Sequence, residues 1–149
     1  MINFAVFTLV VGLLSLLVAK FFSDVVTKAE TGNEKMQEIS DAIQEGSMAF
    51  LNREYKIIAW FIVIMGAVIF LFLDHPATVD FNEGPWTAFA FVLGSVASIL
   101  AGYIGMRIAT VANIRTTQAA RSSITKAFDI SFKSGTVLGF ALVGIAVVG

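Results

Sequence analysis

Apolar and polar residues alternate along this chain in blocks of membrane length. Each long apolar block predicts a helix that crosses a bilayer, since about 20 such residues span the hydrocarbon core. We predict helices at residues 2–22, 33–73, 85–112 and 134–149, with membrane spans at 57–73 and 85–106 inside the second and third. The pattern therefore predicts an all-α membrane protein, a multi-span bundle of four transmembrane helices.

The fourth apolar block begins near Ser134 and is still apolar at Gly149, the last residue. At about 1.5 Å per residue it reaches only ~24 Å, whereas the hydrocarbon core is ~30 Å thick. No polar residue follows that could anchor the far end of such a helix. We therefore expect the fourth helix to be truncated and incomplete.

The positions of the basic residues predict which side of the membrane each polar segment faces. All ten Lys and Arg residues lie in segment 23–56, in segment 107–133 or, for Lys20, just before the first of these, and the polar loop at 74–84 has none. Short basic connections remain on the cytoplasmic side during membrane insertion. We therefore expect both basic segments to be cytoplasmic, and the loop at 74–84 and the N-terminus to be extracytoplasmic.

Composition agrees with a membrane protein. Hydrophobic residues make up 57% of the chain and charged residues 14%, with a mean hydropathy of +0.84. A soluble domain has about 25% charged residues. The chain has no cysteine and one histidine, which excludes disulfides, thiolate catalysis and a histidine-rich metal cluster within it.

An amphipathic helix is predicted between the first two spans, from Asn33, its expected N-cap, to Tyr55. Four acidic residues share one of its faces: Glu34, Glu38, Asp41 and Glu45. Carboxylate oxygens are ligands that hard divalent cations prefer, so this face could bind such an ion. A single row of carboxylates along one helix surrounds an ion poorly, and we favour a solvated helix face.

Small residues recur at four-residue spacing in the third and fourth apolar blocks. The rows are Gly94, Ser98 and Gly102; Ala101, Gly105 and Ala109; and Gly135 with Gly139. Small residues allow membrane helices to approach closely. We expect close helix packing at these rows, with Gly94, Gly102 and Gly105 as the main contacts, and no chemistry.

Two polar groups are candidate binding sites. Arg115 with Thr116, Thr117 and Arg121 could hold a phosphate group through bidentate pairing and hydroxyl donors. Membrane topology alone would also place arginines in this segment, and we favour that interpretation. The run Asp74-His75-Pro76 could provide a pair of metal ligands, but a polar turn outside the membrane is the better interpretation.

The remaining polar residues do not point to a catalytic centre. Lys126, Asp129 and Lys133 have the spacing of ion pairs along a helix. No acid, base or nucleophile lies in a predicted membrane core, where an ionisable group would mark a transport pathway. We therefore assign no catalytic, cofactor-binding or metal-binding residue to this chain.

Three runs, however, resemble the membrane-bound, ion-translocating inorganic pyrophosphatases. Gly32–Lys56, GNEKMQEISDAIQEGSMAFLNREYK, resembles the first cytoplasmic connection and second helix of that family. Gly102–Arg121, GYIGMRIATVANIRTTQAAR, resembles its third helix and following loop, and Lys126–Leu142, KAFDISFKSGTVLGFAL, resembles the start of its fourth helix. The match departs at Asp41 and Ser47, where we expect a variable residue and Ala.

The resemblance implies a homodimeric pump with about sixteen helices per subunit. Such pumps use magnesium to hydrolyse cytoplasmic pyrophosphate and move protons or sodium ions outward, and potassium or sodium is a further possible cofactor. The family's aspartate motif of the Asp-Val-Gly-Ala-Asp type is absent from this chain. The resemblance therefore implies an N-terminal, outer-ring part without the magnesium ligands or the catalytic centre.

Two functions remain open at this point. The first is a part of a pyrophosphate-driven pump in the inner membrane of a prokaryotic cell, inactive by itself. The second is a stand-alone four-helix membrane scaffold or accessory subunit that catalyses nothing. In both cases the lipid bilayer is the expected partner, and nothing in the sequence suggests binding to nucleic acid.

Overall fold

The computed structural model describes residues 2–73 and 83–148. They form four α-helices: α1 (Ile2–Thr27), α2 (Glu34–Phe72), α3 (Glu83–Ala120) and α4 (Ile124–Val148). Each helix is long and apolar enough to cross a membrane, and the described residues contain no strand. The predicted fold class, an all-α bundle of four membrane helices, is confirmed.

The helix ends differ from the predicted ones. α1 continues to Thr27 instead of residue 22, α3 continues to Ala120 instead of residue 112, and α4 begins at Ile124 instead of residue 134. The predictions placed these ends where the apolar blocks end. Polar residues such as Lys and Gln are good helix formers, so a helix continues into water after it leaves the apolar layer.

α2 begins where the sequence predicts. Gly32 has a φ of 80°, a conformation that glycine adopts without strain, and it turns the chain away from α1. The Asn33 side chain then accepts a hydrogen bond from the Met36 backbone nitrogen at 3.0 Å, and the Gln37 side chain donates to the Gly32 carbonyl at 3.2 Å. These contacts satisfy groups that a helix start leaves unpaired, which confirms Asn33 as the N-cap.

The helices do not pack in the order of the chain. α4 packs against both α1 and α3, and α2 packs only against α3 among the described residues. The spatial order is therefore α1, α4, α3, α2, with a slight direct contact between α1 and α3. The buried apolar cluster lies where α1, α3 and α4 meet, and its members are Ala19, Val26, Ile108, Ala112, Val137 and Ala141.

α1 and α4 make their closest approach at two buried glycines, Gly12 and Gly144. A Cβ atom added to Gly144 would lie 3.0 Å from the Gly12 carbonyl oxygen and 2.7 Å from Leu16 Cδ2. The backbones are thus close enough that even one methyl group would force atoms to move. The absence of side chains at these two positions allows the contact.

Some glycines of the predicted small-residue rows lie at contacts between helices, and others do not. Gly105 lies against Leu138 of α4, and Gly102 lies beside Tyr55 of α2, where an added Cβ would be 3.5 Å from its hydroxyl oxygen. Nothing in the described part of the chain comes within 4 Å of a Cβ added at Gly94, Gly135 or Gly139. The packing expected at those three glycines is therefore not formed within these four helices.

We expect Gly144→Leu to lower the free energy of unfolding by about 1–3 kcal/mol, because the new side chain would push α4 away from the Gly12 carbonyl. Gly139→Leu is the matched control on the same helix, and its effect should stay within about 0.5 kcal/mol. Thermal or denaturant unfolding in mild detergent measures both variants. Equal stability of the two variants would show that the α1–α4 contact does not depend on this close approach.

Candidate functional site

Arg115 fastens the end of α1 to α3. Its Nε and Nη2 atoms donate to the Thr27 carbonyl oxygen at 3.2 and 2.9 Å, and its Nη1 atom donates to the Val111 carbonyl at 2.7 Å. Thr27 is the last residue of α1, where carbonyl groups lack partners within the helix. A positive charge is also favourable at this negative end of the helix dipole.

The position of Arg115 bears on the two interpretations of this residue. Three of its five N–H groups donate to backbone carbonyls, which is the arrangement of a structural contact. Burial lowers the pKa of the Arg115 guanidinium, which lies outside the predicted span at 85–106. A guanidinium titrates far above neutral pH, so it stays charged. Arg115 acts here as a structural cap.

A cleft of about 770 Å³ lies beside this contact, at the turn between α3 and α4. Its polar lining includes Glu30, Arg115, Gln118, Arg121, Ser122, Thr125, Lys126 and Asp129. Arg121 is exposed, and its side chain donates to Gln118 at 3.3 Å. Carboxylates and cations therefore face the same space.

One predicted ion pair forms on α4. Lys133 Nζ lies 2.5 Å from Asp129 Oδ2, one helical turn away, which confirms the predicted pairing along the helix. Exposed pairs of this kind contribute about 0–1 kcal/mol, so this one fine-tunes the helix and does not create a site. Lys126, the third residue of the predicted group, lines the cleft instead.

The four-acid face of α2 lies in solvent. Glu34, Glu38, Asp41 and Glu45 are all exposed, and Glu38 pairs with Lys35 at 2.7 Å. Within residues 2–73 and 83–148 there is no group of three His, Cys, Asp or Glu side chains that could hold a metal ion. The run Asp74-His75-Pro76 lies outside the described residues.

A contact that the sequence does not reveal joins α2 to α3. The Tyr55 hydroxyl donates to the Ile99 carbonyl at 3.1 Å and lies next to Gly102. The available signal was a tyrosine at the edge of an apolar block, where such side chains bury the ring and keep the hydroxyl near polar partners. Because Gly102 has no side chain, there is room beside it for this hydroxyl.

These observations describe a bundle of apolar helices with polar contacts between helices at one end. The protein family to which such a bundle belongs follows from comparison with known proteins. The model of the inorganic H+ pyrophosphatase family matches residues 13–149. The chain belongs to this family. No solved structure matches it significantly.

The curated relatives are longer proteins. The chain is 42% identical over 138 residues to a K+-insensitive pyrophosphate-energized proton pump of Methanosarcina mazei, covering 93% of the chain and 19% of that pump. It is 43% identical over 137 residues, or 92% of the chain and 19% of the relative, to a Clostridium tetani protein provisionally named a K+-stimulated pyrophosphate-energized sodium pump. The chain thus spans about one fifth of the length of these members of the H+ pyrophosphatase family.

We expect Arg115→Gln to lower the free energy of unfolding by about 1–2 kcal/mol, because it removes the charge and the two bonds to the α1 terminus. Arg121→Gln is the control, since Arg121 is exposed, and its effect should stay within about 0.5 kcal/mol. Detergent-solubilised protein compared by thermal unfolding tests both. If Arg121→Gln proved the more damaging change, Arg115 would not be the residue that fastens α1.

Proposed function

We propose that this chain is part of a pyrophosphate-energised membrane pump, which couples hydrolysis of diphosphate to outward movement of protons. The family match over residues 13–149 is the observation that carries the proposal. The names of the relatives include both a proton pump and a sodium pump, so sodium is the alternative ion. The same names divide into K+-stimulated and K+-insensitive proteins, so potassium is a possible further cofactor.

In this proposal the chain contributes bracing helices and the catalytic centre lies elsewhere in the polypeptide. The four spans carry no Asp, Glu, Lys, Arg or His at residues 5–19, 57–73, 85–106 or 134–148, so none of them offers a carboxylate, amine or imidazole for an ion relay. Magnesium, which would neutralise charge on the diphosphate, would be held by carboxylates outside this chain. The role of these helices is to keep their neighbours at fixed distances through the contacts at Gly144 and Arg115.

The proposed orientation places the N-terminus outside the cytoplasm and both basic segments within it, in a multi-pass protein of a prokaryotic inner membrane. Support comes from the contact between Arg115 and Thr27, which joins the second basic segment to the start of the first. The two segments therefore lie at the same end of the bundle, as the positive-inside rule requires. A homodimer is the proposed assembly, because the family that the sequence resembles implies one.

A chimera tests the proposed function. Residues 13–149 would replace the matching region of the Methanosarcina mazei pump, and the chimera would be assayed in inverted membrane vesicles for phosphate release and proton uptake. We expect both activities, because the chain supplies equivalent packing surfaces. A chimera that inserts and accumulates in the membrane, yet neither hydrolyses pyrophosphate nor moves protons, would contradict the proposal.

The purified 149-residue chain should not release phosphate from pyrophosphate in the presence of magnesium, because its described side chains offer no metal-binding group. The full-length Methanosarcina mazei pump is the positive control under the same detergent and salt conditions. Phosphate release that co-purifies with the chain would require a catalytic site within these residues. It would therefore contradict the proposal that the catalytic centre lies elsewhere in the polypeptide.

A further inference from the structure

The polar half of α2 carries an apolar row that the described part of the chain leaves exposed. The row consists of Ile39, Ile43 and Phe50, whose side chains are 52%, 44% and 55% exposed. Gly46 lies between them, and nothing comes within 4 Å of a Cβ added there. At about 100° per residue these four positions fall on one helix face, so the row is a continuous apolar strip.

This strip is distinct from the other two faces of the helix. The face toward α3 includes Ser40 and Leu51, both buried. The acidic face, with Glu38, Asp41 and Glu45, lies in solvent on the far side of the helix from the apolar row. α2 therefore has three faces outside its membrane span: one packed on α3, one charged, and one apolar and open.

Lipid cannot cover the part of the apolar row that contains Ile39 and Ile43. Lys56 is the last charged residue before the apolar block of α2, and Ile43 lies 13 residues earlier. At about 1.5 Å per residue, Ile43 is therefore roughly 20 Å from the start of that block. The polar headgroup layer is only about 5–7 Å thick on each side of the hydrocarbon, so Ile43 lies beyond the bilayer. An apolar strip in water marks a protein-binding surface.

The shape beside the row indicates what binds there. Ile39 and Ile43 form one wall of an apolar groove between α2 and α3, and its α3 wall is formed by Thr110, Asn113, Ile114 and Thr117. The groove has a volume of about 150 Å³. Pockets for small molecules measure about 300–1,000 Å³, so this groove suits a single large side chain better.

We propose that the apolar row and this groove bind a helix from the part of the family polypeptide outside these 149 residues. That helix would lie along α2 and insert one large apolar side chain between Ile43 and Ile114. The relatives are the basis for the occupant, because this chain covers only 19% of the Methanosarcina mazei pump, so about four fifths of such a polypeptide is available to pack against it. The acidic face of α2 limits the docked helix to the opposite side. This inference rests on family membership and does not require the proposed pumping activity.

Cysteine labelling tests the inference, since the chain contains no cysteine of its own. Ile43→Cys would be introduced into the chain alone and into a cysteine-free version of the chimera with the Methanosarcina mazei pump. A membrane-impermeant maleimide, applied to detergent-solubilised protein, measures the labelling rate. Glu45→Cys, on the acidic face two residues away, is the matched control.

We expect Ile43→Cys to label about tenfold more slowly in the chimera than in the chain alone, while Glu45→Cys changes less than twofold, because only the row becomes covered. Equal labelling of Ile43→Cys in both contexts would overturn the inference. Protection in the chain alone that grows with protein concentration would also overturn it, since a second copy would then be the occupant. Pyrophosphate hydrolysis by the chimera is measured separately, so protection without hydrolysis would contradict the proposed function and leave this inference standing.

Discussion

Helices inside a bilayer are not driven together by the hydrophobic effect, because lipid tails are as apolar as their own side chains. Close backbone contact supplies the attraction instead, through many short-range dispersion contacts. Gly12 and Gly144 form one such contact and bring α1 close to α4, and Gly84 lies as close to the Phe70 carbonyl between α3 and α2. α4 also packs against α3, and α3 against α2, so the arrangement of the four helices depends on close contacts of this kind.

Outside the apolar layer a different set of interactions holds the helices. Water competes for polar groups there, so the contacts that persist are charged or satisfy helix ends. Arg115 binds the carbonyl end of α1, and Asn33 caps the start of α2. Between them the chain turns at Gly32, where an added Cβ would lie 3.0 Å from the Gln118 side chain of α3. Arg115 thus holds the α1 side of this turn to α3, and the turn itself lies beside Gln118 of α3.

The sequence predicts the number and type of helices well, because a long apolar block has few other stable forms in a membrane. It predicts their ends poorly, since Lys126 and Asp129 extend α4 into water without breaking it. Small-residue spacing found Gly105 but also suggested Gly139, which has no neighbour within 4 Å. The partner of Arg115 could not be predicted, because Thr27 lies 88 positions earlier in the chain and only the fold brings them together.

The spatial order α1, α4, α3, α2 has a consequence for how the protein is made. Helices that follow each other in a chain usually lie side by side, but α1 and α2 share no packing contact in the described structure. As the ribosome delivers the chain, α1 and α2 enter the membrane without support from each other. α2 gains its neighbour only when α3 is inserted, and α1 gains its main neighbour only with α4. α4, the last of these four helices to be inserted, is therefore the helix that joins α1 to α3 and α2.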